Sequence, residues 1–267
     1  MYVAKGLVLK KVVHKMRMLR IHRDGRAETL QDDVIEEQRI AFYLNGTKLL
    51  SVMSLPYHQD AHLVGFLLNE GVLESVNDIV SLEIAKDGLS VYMQAKIEES
   101  KLTHLHKEKT LTTGCCVGVS ANFDGEITQK FIASTMRVSA DRIFELIDEF
   151  NAPSELFSQT GCVHKAMLVC EKMLICEDVG RHNAIDKVIG MARLSHLSLQ
   201  DSILIVSGRL SMEMVIKAAM SDIPMVISRA ATTHLGIKSA QLLGVSLVGF
   251  ARGDTLNLYT HTSRIVC

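Results

Sequence analysis

The sequence predicts an α/β fold, with a small α+β unit ahead of a larger sheet-and-helix domain. Three observations predict it. The last third of the chain alternates short apolar strands with amphipathic helices in the order β-α-β-α-β. Its strands, SILIVS, PMVIS and VSLVGF, are almost wholly apolar, as parallel strands buried on both faces should be. The first hundred residues instead carry two hairpin signals around one helix.

The elements follow in order. RIAFYLNGTKLLSVMS places two apolar-rich runs around Asn45-Gly46, and both residues tolerate the positive φ of a tight hairpin turn. HQDAHLVGFLLNEG reads as a helix with Ala61, Val64, Leu67 and Leu68 on one face and Gly71 as its stop. IVSLEIAKDGLSVYMQ gives a second hairpin, turning at Asp87-Gly88. The charged stretch from Lys96 to Thr110 marks the domain boundary, so 1–105 and 106–267 are the expected units. A helix over Ala140 to Glu149 follows, with Ser139 as N-cap and Ile143, Leu146 and Ile147 facing inward. AMLVCEKMLICED turns around Glu171-Lys172, and Cys170 and Cys176 read as core residues of its strands. GRHNAIDKVIGMARL is the next helix, with Asp178 placed to cap it. His182 and Asp186, four apart, share one face. In the last third, Ser211 is the expected N-cap of SMEMVIKAAMS, and Gly244 closes THLGIKSAQLLG.

Composition narrows the function. With 267 residues the chain can form one large domain or two small ones, and 48% hydrophobic content supplies a packed core. The net charge is −1, from 29 Lys and Arg against 30 Asp and Glu. That balance argues against a general nucleic-acid or membrane-surface binder, which needs a basic excess. The N-terminal stretch lacks the apolar core and small-residue cleavage site of a signal peptide. No run reaches the roughly 18 apolar residues of a membrane span. A cytoplasmic location is expected. The cysteines are Cys115, Cys116, Cys162, Cys170, Cys176 and Cys267, with no paired C-x-x-C and no zinc-finger histidines, so no metal site is expected.

Ligands of open parallel sheets bind beyond the carboxyl ends of the strands. Here the first strand is followed by Ser207-Gly208-Arg209, the second by Ser228-Arg229, and the third by Ala251-Arg252-Gly253. Each strand thus delivers an arginine to one edge, and helix N-termini after the first two add N–H donors. Arginine suits bidentate phosphate contact, so an anionic ligand is expected there. No G-x-G-x-x-G or Walker A signature is present. EDVGRHN packs Arg181 and His182 into a strand-to-helix junction, where capping explains Asp178 more readily than its neighbours. In LTTGCCVGVSANF, Cys115 and Cys116 lie between glycines and threonines. A buried pair, a vicinal disulfide and an exposed nucleophile are all open, and the small flanking residues fit the nucleophile best.

FLLNEGVLES, EDVGRHNAIDKVIG, SGRLSMEMVIKAA and LVGFARGDTLNLYTH, in this order, closely resemble the FdhD family of formate dehydrogenase accessory sulfurtransferases. The resemblance runs from about Asp33 to near the C-terminus. It implies a three-layer α/β/α cytidine-deaminase-like domain preceded by a small α+β domain, and a homodimer. It also implies a cysteine persulfide loaded by a cysteine desulfurase. The sulfur would pass to the molybdenum bis(molybdopterin guanine dinucleotide) cofactor, bound as substrate, for the formate dehydrogenase catalytic subunit. No permanent cofactor is implied. The segment matching Phe250, Ala251, Arg252, Gly253, Asp254 and Thr255 is linked in the family to cofactor binding.

This chain departs from the family's C-G-x-C-G loop. Aligned on Gly118, Gly114 and Val117 occupy the two cysteine positions, whereas a shift of one residue puts Cys115 at the first. Cys115 is therefore the expected persulfide carrier, with Cys116 second. Two other readings compare with this one. A zinc deaminase needs H-x-E or C-x-E and P-C-x-x-C, and none of Pro56, Pro153 and Pro224 precedes a cysteine. A non-catalytic cofactor-binding chaperone would keep the arginines and need no thiol.

Overall fold

The computed structural model describes residues 12–98, 100–102 and 130–267. The chain begins with β1 (Val13–Ile21) and β2 (Ala27–Ile35), which pair only with each other among the described residues. No sequence signal announced this hairpin. Met16, Leu19 and Ile21 are exposed, so burial imposes no clean alternation on the pattern.

The two hairpins and the helix expected in the first part form, while most of the expected boundary from Lys96 to Thr110 lies outside the described residues. Strands β3 (Gln38–Leu44), β4 (Thr47–Ser54), β5 (Ile79–Ile84) and β6 (Ser90–Ala95) make a sheet in the order β4-β3-β6-β5. Asn45 (φ 49°) and Gly46 (φ 82°) turn the first hairpin, and Gly88 (φ 72°) lies in the second turn. Helix α1 (Gln59–Asn69) packs on this sheet, and Gly71 (φ 70°) follows its end. It departs from expectation in one respect: every residue of α1 is buried, rather than one face. The reason is a second neighbour. Helix α4 (Arg181–Leu194) crosses its other side so closely that a Cβ on Gly65 would lie 1.8 Å from the Asp186 carbonyl oxygen. A Cβ on Gly190 would lie 1.9 Å from the Ala61 carbonyl oxygen. Glycine on each helix lets the two backbones touch.

The larger unit holds β7 (Val138–Ser139), α2 (Ala140–Asn151), α3 (Glu155–Thr160), β8 (His164–Val169) and β9 (Met173–Asp178) before α4. After it come β10 (Ile203–Val206), α5 (Met212–Met220), β11 (Met225–Ser228), α6 (His234–Leu243), β12 (Ser246–Arg252), β13 (Thr255–Leu258) and β14 (Ile265–Val266). Six strands form one sheet in the order β13-β12-β11-β10-β8-β9. Its centre, β10-β11-β12, is parallel as the sequence predicts, while β8, β9 and β13 add antiparallel margins. Alternation builds three layers. Ile203 and Ile205 face α2 through Ile143, Leu146, Ile147 and Phe150. Leu204 and Val206 face the opposite side, with residues of α4 and α5 such as Val188 and Val215. Ser139 caps α2 by accepting the Arg142 N–H, as expected. Cys176 is buried, but Cys170 sits in the β8–β9 turn and is half-buried.

The two units meet through charged groups as well as helices. The Asp178 carboxylate, fully buried, accepts from Ser54 Oγ (2.7 Å) and Leu55 N–H (3.0 Å) of the small unit. It also accepts from Lys187 Nζ (2.6 Å), Asn183 Nδ2 (2.8 Å) and Gly180 N–H (2.9 Å). Lys187 donates a second bond to the Leu55 carbonyl (3.0 Å) and lies over the Tyr57 ring. Asp178 thus joins the two units, whereas the expected helix cap is missing: no side chain caps α4. A second buried set links α1 to α4 and α5. Asp186 accepts from Asn69 Nδ2 (2.6 Å) and Lys217 Nζ (2.9 Å).

The glycine crossing gives a direct prediction. Gly190→Ala forces a methyl group into a backbone carbonyl, so it destabilises by about 3 kcal/mol or more, at the upper end of overpacking costs. Urea unfolding followed by circular dichroism checks this through the drop in midpoint.

Candidate functional site

The sheet determines what stands at its carboxyl edge. β10 and β11 run parallel and end at Val206 and Ser228. β8 runs the other way, with Ala166 opposite Val206, so its amino end joins this same edge. The Ser207 N–H donates to the Lys165 carbonyl (3.0 Å) and fixes the junction. A cavity of ≈ 550 Å³ opens here, a size typical of small-molecule sites. Cys162, His164, Ser207, Arg229 and Arg252 supply its chemistry, with Phe157 and Val179 among its apolar walls. Among the described residues, no carboxylate lines it.

The structure brings several expected residues together. Ser207, Arg229 and Arg252 line the cavity, while Gly208, Ser228 and Arg181 adjoin these residues without lining it. Ser228 Oγ donates to the Gly208 carbonyl (2.7 Å) and accepts the Ala230 N–H (3.0 Å), tying adjacent loops. The Arg181 side chain lies against Gly208, where an added Cβ would be 2.9 Å from its Cδ. That contact explains a glycine between Ser207 and Arg209. Among the described residues, the buried Arg181 Nε finds no hydrogen-bond partner, and neither does the buried Ser211 Oγ at the head of α5. Ser211 occupies the N-cap position but makes no capping bond.

The remaining expected residues sit around this centre rather than in it. Phe250 takes a left-handed backbone (φ 53°) at the β12 bulge, and the Arg252 guanidinium stacks over its ring at 5.6 Å. Ala251 is buried beneath α2. Gly253 (φ 57°) and Asp254 form the β12–β13 turn, closed by the pairing of Arg252 with Thr255. Arg209 is exposed beside the cavity loop. His182 is buried, 2.9 Å from Glu213, and does not line the cavity. Its face is shared with Asp186 as expected: both point to α5, one meeting Glu213 and the other Lys217. Cys115 and Cys116 lie outside the described residues.

The electrostatics favour an anion. Arg181, Arg209, Arg229 and Arg252 have no ion-pair partner among the described residues, and Asp254 does not neutralise them. Burial, aided by the Arg181 charge, pushes His164 below its ordinary pKa. Its imidazole is therefore neutral at neutral pH and shares a hydrogen bond with Ser207 Oγ (3.1 Å). Burial likewise lowers the pKa of His182. No group of three or more potential metal ligands occurs among the described residues, and none of their helices is long and apolar enough to cross a membrane.

Sequence reasoning missed His164 and Glu213 and gave Cys162 no place at the edge. The pattern Cys162-x-His164 becomes informative only once β8 is known to run antiparallel to β10. Then the start of a strand, not its end, reaches the site.

Comparison with known proteins agrees. The FdhD/NarQ family model matches residues 35–266. The sulfur carrier protein FdhD of Wolinella succinogenes is 58% identical over 237 residues, covering 88% of this chain and 83% of that protein. Its counterpart from Bacillus pumilus is 34% identical over 258 residues, covering 95% and 98%. The crystal structure of a putative formate dehydrogenase accessory protein from Desulfotalea psychrophila superposes with a TM-score of 0.79 at 27% identity, covering 96% of this chain and 100% of that one. The chain belongs to the FdhD/NarQ family.

Proposed function

We propose that this protein is a sulfur carrier for formate dehydrogenase, taking persulfide sulfur from a cysteine desulfurase and passing it to the molybdenum bis(molybdopterin guanine dinucleotide) cofactor. One observation carries the reading. Among the described residues, the cavity at the carboxyl end of the parallel sheet has no carboxylate and is edged by arginines without ion-pair partners. Such an edge suits the phosphates of a guanine-dinucleotide substrate. The relatives' name, sulfur carrier protein, supports the transfer step.

The chain's own groups have distinct tasks. Arg229 and Arg252 bind phosphate, and Ser207 lines the cavity beside them, next to Gly208 and the Arg181 side chain packed on it. Cys115 supplies the thiolate. It attacks the outer sulfur of the donor persulfide, the donor's S–S bond breaks, and the donor leaves as a thiolate. This exchange is redox-neutral. The cytoplasm is the compartment in which such thiols stay reduced, and formate dehydrogenase's catalytic subunit is the client.

Two measurements test this. Titration calorimetry with guanosine diphosphate should show binding that weakens with salt. Arg229→Ala with Arg252→Ala should weaken it about a hundredfold or more, because charge-assisted contacts are worth roughly 1.5–3 kcal/mol each. Unchanged affinity would remove the edge from the reading. In cells lacking the native gene, Cys115→Ala should abolish formate dehydrogenase activity, whereas a non-catalytic chaperone would retain it.

A further inference from the structure

The phosphate-binding edge leaves Cys162 without a task. It is exposed and lines the arginine-edged cavity together with His164. Its position follows from local geometry. Helix α3 ends at Gly161, whose left-handed backbone (φ 63°) turns the chain sharply. The Cys162 N–H then donates to Thr160 Oγ1 (3.3 Å), and β8 begins two residues later. The thiol is thereby held at the mouth of the sheet edge.

The other described cysteines are placed differently. Cys176 is buried in the core, and burial pushes its thiol up to about 12. Cys170 lies beyond the opposite end of β8 and donates to the Lys172 carbonyl. At about 3.3 Å per residue along that strand, it stands about 20 Å from the edge. Cys267 ends the chain and does not line the cavity.

The surroundings of Cys162 suit sulfur transfer to an anionic substrate. Among the described residues, no carboxylate lines the cavity that Cys162 shares with Arg229 and Arg252, so an anion bound there sits beside the thiol. Arg181, packed against Gly208 beside the lining residue Ser207, has a buried Nε without a hydrogen-bond partner among the described residues. His164, neutral at neutral pH, is available as a base.

We propose that Cys162 is a second sulfur-accepting thiol, which takes the outer sulfur of a cysteine persulfide and holds it beside the bound anionic substrate. This rests on the sulfur-carrier reading above and adds a station to it. The Cys162 thiolate attacks the outer sulfur of R–S–SH. A Cys162 S–S bond forms and the R–S bond to that sulfur breaks. R leaves as a thiolate and takes up the proton released by Cys162. Two divalent sulfurs exchange partners, so no oxidant or reductant is consumed.

The test uses the full chain as wild type, as the Cys115→Ala and Cys116→Ala double variant, and as the triple variant that adds Cys162→Ser. Each is incubated with glutathione persulfide, and the wild type also with a cysteine desulfurase and cysteine; added sulfur is located by peptide mass spectrometry. The double variant should gain one sulfur on the Cys162 peptide, and the triple variant should lose that gain. Cys162→Ser alone should lower formate dehydrogenase activity in cells about tenfold while guanosine diphosphate affinity stays within about twofold, since an exposed thiol-to-hydroxyl change disturbs packing little. Sulfur confined to the Cys115 and Cys116 peptide would overturn this inference and leave the sulfur-carrier reading standing. No sulfur on any cysteine would overturn both.

Discussion

The Asp178 carboxylate, out of contact with solvent, is bonded by Ser54, Leu55, Gly180, Asn183 and Lys187. Burial alone would raise its pKa. The Lys187 ammonium and the His62 side chain, with hydrogen bonds from Lys187 and Ser54, instead hold it below the ordinary carboxylate value. Removing either member of such a buried pair leaves a stranded charge and costs about 3–5 kcal/mol. Its consequence here is positional. Asp178 is the last residue of β9, and Arg181 opens α4 three residues later. Whatever fixes Asp178 also fixes Val179 in the cavity wall and Arg181 against Gly208. The small unit thus holds the site in place, and none of its described residues lines the cavity.

The same motif therefore serves two purposes. Its acid and amide anchor the two units together, and its valine and arginine shape the edge. This resolves the excess of polar residues in EDVGRHN that capping alone did not explain. The glycine pair Gly65 and Gly190 extends the anchor along the helices, since only bare backbones approach so closely. Rigid support of this kind is what a site built from several strand ends requires.

The centre of the fold was legible because burial on both faces leaves an unmistakable apolar signature. ILIV, MVIS and SLVG could be read as strands, and their arginines as one edge, from the residue pattern alone. Caps and turns were legible where chemistry demands particular residues, as at Ser139, Asn45-Gly46 and Gly244. The β1–β2 hairpin was not, because exposed strands escape the selection that writes a pattern. The strand direction of β8 was not, because a hairpin reads alike in either setting. That single unknown hid Cys162 and His164. Likewise, the polar residues of α1 concealed its full burial, since partners such as that of Asn69 lie more than a hundred residues away.

The central claim is that sulfur resides on this chain on its way to the client's cofactor. Pulse labelling tests it most directly. Cysteine carrying radioactive sulfur is supplied with a desulfurase, then chased with unlabelled cysteine and inactive formate dehydrogenase. The account predicts that label appears first on this protein, released by thiol reductant, and then moves to the cofactor as activity rises. Activation of the client with no label ever held by this chain would contradict it.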